Sequence, residues 1–324
     1  MRMSTLKETF KKLLDVPHRP KIGIALGGGG ARGFAHIGVL EALQAAHVPL
    51  DVVVGTSMGA IIGCAYVCGL DMQKLTKLLK ALDLHALLAV PHSPIPEMVE
   101  RTASELLFKK AQWREEDRKK TKRLIEFYQL LTHNRSFEDL DIPFAAVACD
   151  IDTGRQVVMQ QGKLHRALAA SVALPGIHDP VLWKNHTLVD GGIINKLPAD
   201  VAVELGADIV IAVDVSAMLT GQANTSLQVM AQATHITSRE LMWTQLELLQ
   251  RRLGPRLVIV SPIVAGIKTL NLNEVEAPVE AGKAATGAIF PELQQALVHF
   301  AQETPADSPP YAAGYRPPPF VKGE

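Results

Sequence analysis

The sequence predicts an α/β fold with three layers, in which helices cover both faces of a mainly parallel central sheet. Short apolar runs without charges alternate with longer helix-like segments, which is the pattern of successive β–α units. Apolar residue types make up 48% of the 324 residues and aromatic types only 5%. This apolar content is enough to bury a substantial core.

The predicted elements follow one another along most of the chain. Strands are expected at residues 21–26, 51–54, 143–150, 156–159, 187–189, 208–215 and 256–261. Helices are expected at residues 32–46, 58–69, 72–88, 96–132, 164–172, 225–252 and 280–302. The uncharged run 52–70 is long enough to cross a bilayer, but glycines and polar residues interrupt it. A buried strand, a tight turn and a buried helix describe this run better than a membrane span.

We expect one principal domain at 21–303, preceded by a polar extension at 1–20 and followed by a tail at 304–324. Within the domain, residues from about 72 to 136 have the pattern of helices and are more polar than their surroundings. This segment is the natural candidate for a helical cap inserted into the fold. Proline and small residues dominate the tail, which predicts a disordered or surface-draped segment.

Charge and cysteine content exclude some classes of function. Lysine and arginine together number 33, as do aspartate and glutamate, so the formal net charge is zero. A nucleic-acid partner is not expected, because such proteins usually carry a basic excess. The three cysteines lie in apolar surroundings, which favours reduced thiols in a cytoplasmic protein. Cys64 and Cys68 stand four residues apart without a nearby histidine, so no metal site is predicted.

A locally basic run between Lys109 and Arg123 has two interpretations. As a docking surface for anionic lipid headgroups, it would hold the protein peripherally at the inner face of a membrane. Acidic residues at 115–117 interrupt the run, however, and favour a solvated helical face. Peripheral membrane contact is therefore the less favoured alternative.

Ser57 is the candidate nucleophile. It lies at the centre of Gly55-Thr56-Ser57-Met58-Gly59, directly after an apolar strand and before a helix. A G-x-S-x-G motif needs this context, because the serine occupies a strained strand-to-helix turn where the small residues Gly55 and Gly59 prevent clashes. The motif also recurs by chance, so the alternative is an ordinary turn between a strand and a helix.

A glycine-rich loop follows the first predicted strand. Consecutive glycines from Gly27 to Gly30 let backbone N–H groups point to one spot near the start of a helix, where a phosphate or a developing oxyanion is stabilised. Gly28-x-Gly30-x-x-Gly33 also satisfies the dinucleotide-binding pattern of an oxidoreductase. That fold calls for an acidic residue at the end of the second strand, where this chain has Thr56 and Ser57 instead. The nucleotide-binding interpretation is therefore the weaker one.

Asp190 is the candidate base for Ser57. It ends a short predicted strand and precedes Gly191 and Gly192, so its carboxylate is expected at the carboxyl edge of the sheet, where α/β active sites gather. A carboxylate acts as a general base when it is poorly solvated or close to the hydroxyl. Downstream, only His235 and His299 remain for a histidine-based triad, and both lie in predicted helices. An aspartate in a plain turn is the alternative interpretation.

These motifs together resemble the patatin-like phospholipase family. The signatures are G-G-G-x-R-G from Gly28 to Gly33, G-x-S-x-G at Ser57 and D-G at Asp190, in that order. A further block, Ala170-Ser171 with Pro175 shortly after, also matches. The similarity spans residues 21–215 and is strongest to small bacterial members and to the catalytic domain of neuropathy target esterase.

The resemblance implies a patatin-like three-layer fold and a lipid acyl ester as substrate. It assigns Ser57 as nucleophile, Asp190 as base, and the N–H groups of Gly28, Gly29 and Gly30 as oxyanion hole. Arg32 would position the glycine loop or an anionic substrate. The expected reaction is hydrolysis through an acyl-enzyme, which requires no metal or organic cofactor. A regulatory, non-enzymatic member of the family is the second alternative beside the oxidoreductase.

Overall fold

A computed structural model of the chain describes residues 7–8, 10–12, 15, 19–87, 115–216, 226–267, 271–302 and 321–322. The strands are β1 Ile22–Leu26, β2 Val52–Thr56, β3 Phe144–Asp150, β4 Arg155–Met159, β5 Val181–Trp183, β6 His186–Asp190, β7 Ile209–Val213, β8 Leu257–Val260 and β9 Val321–Lys322. The α-helices are α1 Ala35–Ala45, α2 Met58–Val67, α3 Met72–Ala81, α4 Leu84–Leu87, α5 Glu115–Leu131, α6 Leu164–Ser171, α7 Ala199–Glu204, α8 Ser226–Leu253 and α9 Glu276–Gln302. A 3-10 turn, Gly30–Phe34, leads into α1, where the sequence predicted a continuous helix from residue 32.

The strands form one mixed sheet in which the parallel strands lie together. Its order is β5-β6-β3-β2-β1-β7-β8, with β4 also paired to β3 and β9 to β4. Five neighbouring strands run parallel to one another, in the order β3, β2, β1, β7 and β8. Strands β4 and β6 run antiparallel to β3, and β5 runs antiparallel to β6. The carboxyl ends of β1 and β2 therefore meet at one edge. Although β6 runs the other way, its register pairs Asp190 with Ala148 of β3, next to Val147, which pairs with Thr56 of β2.

Two apolar cores lie on opposite faces of this sheet. Alternate residues of β1 show the division, since Ile24 and Leu26 belong to one core and Ala25 to the other. Helices α1, α2, α6 and α9 cover the first face, and α7 and α8 cover the second. Burial on both faces explains why β1 and β2 carry no charged residue. The predicted three-layer α/β/α fold with a mainly parallel sheet is confirmed.

Helices α1 and α9 approach each other through two glycines. A Cβ atom at Gly38 would lie against the carbonyl oxygen of Val279, and one at Gly282 against the carbonyl oxygen of Ala35. The Glu41 carboxylate accepts a hydrogen bond from the Lys283 ammonium at 2.9 Å beside the crossing. The two backbones are therefore in contact, and no larger residue fits between them.

We expect Gly38→Ala to lower the free energy of unfolding by about 1–3 kcal/mol, because the added methyl group forces the two helices apart. Gly287→Ala is the matched control, since a Cβ atom there meets nothing within 4 Å. It should raise stability by roughly 0.5–1 kcal/mol through helix propensity alone. Urea denaturation followed by circular dichroism measures both. Equal shifts in the two variants would contradict the close approach of α1 and α9.

The three predicted regions of the chain are only partly described, so this division stays a prediction. In the segment predicted as an extension, Phe10 is fully buried and meets Phe290 of α9 edge-on, with 5.6 Å between the ring centroids. In the segment predicted as a cap, α3, α4 and α5 are observed, while 88–114 lie outside the described residues. In the predicted tail, Val321 and Lys322 pair with β4. None of the described helices is long and apolar enough to cross a membrane.

Candidate active site

Ser57 stands alone between β2 and α2, at the carboxyl edge of the sheet. Its backbone has φ 56° and ψ −125°, a conformation that residues other than glycine rarely adopt. A strained backbone conformation of this kind destabilises the folded protein by about 1–3 kcal/mol and is typical of functional sites. The predicted strand–turn–helix arrangement around Ser57 is therefore observed, together with its expected strain.

The turn at Ser57 is possible because the chain segments around it pack closely. A Cβ atom at Gly59 would lie against the carbonyl oxygen of Leu26, and one at Gly55 would come within 2.5 Å of Ala60 Cα. Only glycine therefore lets α2 begin directly over the end of β1. These contacts account for both glycines of the motif.

Two hydrogen bonds hold the turn from outside. The Ser57 N–H donates to Ser171 Oγ at 3.0 Å, and this hydroxyl donates in turn to the carbonyl oxygen of Val147 at 2.7 Å. The neighbouring Thr56 hydroxyl donates to the carbonyl oxygen of Asn195 at 2.9 Å. Ser171, which the family resemblance included without a role, thus links the turn to strand β3.

Asp190 ends β6 and its side chain is buried, with 3% of the residue exposed. Its Oδ1 accepts a hydrogen bond from the Gly192 N–H at 2.7 Å. Its Oδ2 has no hydrogen-bond partner of standard geometry among the described residues, although hydrogen bonding by the Ser57 hydroxyl lowers the pKa of this carboxyl group. A Cβ atom at Gly191 would lie against the carbonyl oxygen of Val147, so only glycine fits there. The structure thus brings together two groups that are 133 positions apart in the sequence (190 − 57).

Burial raises the pKa of Asp190 to about 6, from an ordinary value of 3.8. The Ser57 hydroxyl, the Gly192 N–H and the charge of Lys196 each oppose this rise. The buried carboxylate is therefore a stronger base than an exposed one, yet it remains largely ionised at neutral pH. Histidine is not among the groups that shift this pKa.

The glycine loop lies directly over Ser57. A Cβ atom at Gly28 would stand 3.3 Å from Ser57 Cβ. The Gly28 N–H, predicted to serve an oxyanion hole, instead donates to the carbonyl oxygen of Lys196 at 2.9 Å. The N–H groups of Gly29 and Gly30, at the start of the 3-10 turn, have no partner among the described residues. These two groups are the ones free to bind an oxygen atom.

His36 and Arg32 support this loop. The His36 ring is fully buried, and burial lowers its pKa to about 4, so the neutral ring donates from Nε2 to the carbonyl oxygen of Gly27 at 2.7 Å. Arg32 is buried too, and its Nε donates to the carbonyl oxygen of Gly29 at a long 3.4 Å. Burial lowers the pKa of Arg32, and the charge of Asp214 opposes this shift. Both side chains thus bind loop carbonyl groups.

An apolar cleft adjoins the serine. Its lining includes Met58, which follows Ser57, and Phe34, at the end of the 3-10 turn. Helices α3, α4 and α5 close the other side with apolar side chains, among them Leu75, Leu84 and Phe127. All of its lining residues are apolar, and the space between them is no larger than a water molecule, so it does not hold a hydrocarbon chain as it stands.

No group of three or more metal-binding side chains occurs among the described residues. Cys64, Cys68 and Cys149 are free and buried. Residues 109–114 of the basic run predicted between Lys109 and Arg123 lie outside the described residues, and the rest belongs to α5, so the structure does not test its interpretation.

A sequence profile described as patatin-like phospholipase matches residues 24–203, more than half of the chain. The chain belongs to the patatin-like phospholipase family. The matched stretch includes the glycine loop, Ser57 and Asp190, so the family resemblance noted from these motifs is confirmed.

Several proteins with names from this family are similar in sequence. Human patatin-like phospholipase domain-containing protein 6 is 35% identical over 214 residues, which cover 64% of this chain and 14% of that protein. An uncharacterized NTE family protein of Mycobacterium bovis is 31% identical over 204 residues, covering 63% of this chain and 51% of that protein. The chain thus spans about half or less of the length of these relatives.

Two solved structures are similar at low sequence identity. Human GIVD cytosolic phospholipase A2, in complex with methyl gamma-linolenyl fluorophosphonate, has a TM-score of 0.49 and 13% identity, covering 92% of this chain and 63% of that one. VipD from Legionella pneumophila has a TM-score of 0.48 and 14% identity, covering 85% of this chain and 67% of that one.

Sequence reasoning missed Lys196, which is 7% exposed and whose charge acts on Asp190. It also missed Tyr128 of α5, whose buried hydroxyl has no partner among the described residues and whose pKa is raised by burial and by the charge of Asp190. A signal for Lys196 existed, since it stands close after the D-G motif and directly before an apolar residue. Tyr128 carried no such signal, because a tyrosine in a helix is ordinary.

Proposed function

We propose that this patatin-like protein is a serine hydrolase that cleaves the acyl esters of lipids, with Ser57 as nucleophile and Asp190 as base. One observation carries the proposal. The hydroxyl of a strained serine acts on a buried carboxylate whose pKa is raised to about 6. A carboxylate of this kind is suited to accept a proton near neutral pH.

The reaction then proceeds in two steps. Ser57 Oγ attacks the acyl carbonyl carbon while its proton passes to Asp190, and the collapsing intermediate releases the alcohol, which takes up that proton. Water, deprotonated by Asp190, attacks the acyl-enzyme, and the proton then passes from Asp190 to Ser57 Oγ as the fatty acid leaves. The N–H groups of Gly29 and Gly30 would stabilise the oxyanion in both steps, since the Gly28 N–H is already bonded. This chemistry calls for no metal or organic cofactor.

Family membership supports a lipid ester over other acyl esters. A nucleotide-binding oxidoreductase is the weaker alternative, because the glycine loop faces a serine and the second strand lacks a terminal acid. Contact with a membrane surface stays a prediction, as does a cytoplasmic location.

Labelling with an alkyl fluorophosphonate tests the proposal directly. The reagent should add to the purified protein once, with the mass shift on the peptide that contains Ser57, because an activated serine displaces its fluoride. Ser57→Ala should remain unmodified, and Ser171→Ala should still label at Ser57. Equal labelling of wild type and Ser57→Ala would refute the nucleophile. Absence of labelling and of ester hydrolysis in folded wild type would favour the regulatory, non-enzymatic alternative.

A further inference from the structure

Helix α8 extends far beyond the sheet that it covers. It has 28 residues and is about 42 Å long. Its residue Gln245 lies at the level of the carboxyl edge, since its Nε2 donates to the carbonyl oxygen of Ile194 at 3.1 Å, directly before the Asn195 carbonyl group that binds Thr56. From Gln245 the helix continues towards the start of β8 at one end, and for 19 residues (245 − 226), about 28 Å, at the other. The amino-terminal end of α8 therefore projects past the edge at which Ser57 lies.

Burial along α8 shows where its contact with the sheet ends. Towards its carboxyl end, a stripe of residues three or four apart is buried, namely Ser238, Met242, Leu246, Leu249 and Leu253. Ala231, seven residues before Ser238 on the same side of the helix, is exposed instead. None of the residues 229–237 is buried. We call residues 226–237 the projecting end of α8.

The projecting end is apolar where solvent reaches it. Met230 is 66% exposed, and Val229 and Ile236 are exposed as well. Val229, Ala233 and Ile236 follow the i, i+4, i+7 spacing of one helix face, which lies opposite the buried stripe. No aspartate, glutamate, lysine or arginine occurs from Ser226 to Ser238. Exposed apolar side chains on a helix without charges indicate a surface that contacts a partner.

Two further apolar side chains are exposed at the same edge of the sheet. Ile263 is 88% exposed in the loop after the carboxyl end of β8, and Ile151 is exposed in the turn after the carboxyl end of β3. In the sheet, β3 and β8 lie on either side of β2, which ends directly before Ser57. Helix α8 covers the second face of the sheet. Exposed apolar groups thus stand on three sides of the serine.

The charges at this edge indicate the kind of partner that it meets. The projecting end of α8 carries no charged residue, and neither does the stretch Leu257–Ile267 that holds Ile263. Asp152, which is exposed beside Ile151, is negative. An anionic partner would find no cation in the two uncharged segments, whereas a lipid surface without net charge needs none. Such a surface is also extended, so it would meet side chains from three separate elements at once.

We propose that the projecting end of α8, together with Ile263 and Ile151, is a docking surface for lipid aggregates without net charge, such as phosphatidylcholine bilayers. The apolar side chains would enter the boundary between headgroups and acyl chains and hold the edge with Ser57 against the lipid. This inference rests on the proposed function, because a lipid ester has to reach Ser57. It adds the surface through which the enzyme meets its substrate.

Vesicle binding tests this inference without any hydrolysis. We would measure the partition of the purified protein onto sedimenting vesicles of ether-linked phosphatidylcholine, which has no acyl ester to cleave. Wild type should bind. Met230→Asp and Ile263→Asp should each lower the partition coefficient about tenfold, because a carboxylate replaces an apolar side chain that would enter the lipid. Replacing a quarter of the lipid by ether-linked phosphatidylglycerol, which is anionic, should not strengthen the binding of wild type.

Leu248→Asp is the matched control. Leu248 is exposed on α8 like Met230 and follows it by 18 residues (248 − 230), which is five full turns. It therefore faces the same side of the helix, about 27 Å nearer to the start of β8. This variant should bind vesicles as wild type does. All three variants should hydrolyse water-soluble nitrophenyl butyrate at the wild-type rate, because they leave Ser57 and Asp190 unchanged.

Three results would overturn the inference. The first is equal binding of Met230→Asp and Leu248→Asp, or no binding of wild type. The second is binding that requires the anionic lipid, which would assign it to basic residues elsewhere. The third is a wild-type dimer that Met230→Asp dissociates in light scattering, which would assign the surface to a second copy of the chain. None of these affects the proposed function, which fails separately if wild type hydrolyses no ester and fluorophosphonate does not modify Ser57.

Discussion

Replacing Ser57 by glycine is expected to abolish ester hydrolysis and to give a more stable protein than replacing it by alanine. Both changes remove the hydroxyl that would attack the ester. Only glycine adopts φ 56° and ψ −125° without strain, however, because it has no Cβ atom. The two substitutions should therefore have the same effect on activity and different effects on stability.

The size of each effect follows from its cause. Loss of a nucleophile should lower kcat/KM by about 10⁴-fold or more in both variants. Relief of backbone strain, less the extra entropy of glycine in the unfolded chain, should make Ser57→Gly about 1 kcal/mol more stable than Ser57→Ala. Initial rates on a nitrophenyl ester and urea denaturation measure the two quantities. The comparison between variants matters, because both leave Asp190 Oδ2 without its hydroxyl neighbour.

Two outcomes would contradict this expectation. If Ser57→Gly were less stable than Ser57→Ala, the turn would not be strained by its side chain. If either variant kept more than about 1% of the wild-type rate, the nucleophile would be another residue, since a remaining oxyanion hole alone does not sustain such turnover.

The strained turn was predictable because its causes are local. An uncharged strand, a serine between small residues and a helix follow one another within 20 residues, and each is visible in the sequence. The buried parallel strands were predictable for the same reason, since burial on both faces leaves continuous apolar runs. The antiparallel directions of β5 and β6 were not, because they depend on partners distant in the chain.

Within the site, residue types were easier to predict than hydrogen bonds. The sequence alone suggests a run of free N–H groups at Gly28, Gly29 and Gly30, yet the first is bonded to Lys196. The Lys196 carbonyl group that accepts this bond lies 168 positions further along the chain (196 − 28), and no local sequence pattern predicts the contact. The burial of Lys196 and Arg32 was hidden for a similar reason, because charged side chains are exposed by default.

Burial is the feature that would let a lone carboxylate act as base in the proposed mechanism. An exposed aspartate is too weak a base at neutral pH, with an ordinary pKa near 3.8. Desolvation moves the pKa of Asp190 towards 6 while Lys196 and the Gly192 N–H keep it from rising further. The same desolvation makes the ionised form costly to the fold, so function and stability again oppose each other.

Replacing Asp190 by asparagine should therefore lower kcat/KM by about 10²- to 10⁴-fold, because the shape is kept and only the basicity is lost. In wild type, kcat/KM should rise with pH through about 6, since only the ionised carboxylate accepts a proton. Asp190→Asn should lack this rise. Asp208→Asn, which changes a carboxylate at the opposite edge of the sheet where it binds the Lys21 N–H, should keep both rate and pH profile.

The same substitution should not weaken the fold. A pKa raised from 3.8 to about 6 means that the folded protein binds this proton more tightly than the unfolded chain, so the stabilisation is complete below pH 3.8 and is lost as the pH rises through 6. Above that pH, the buried charge costs on the order of 3 kcal/mol, which asparagine avoids. At pH 7, Asp190→Asn should thus melt no lower than wild type while losing turnover. A variant that unfolds, or one that keeps its activity and its pH profile, would show that Asp190 serves the structure and that the proton goes elsewhere.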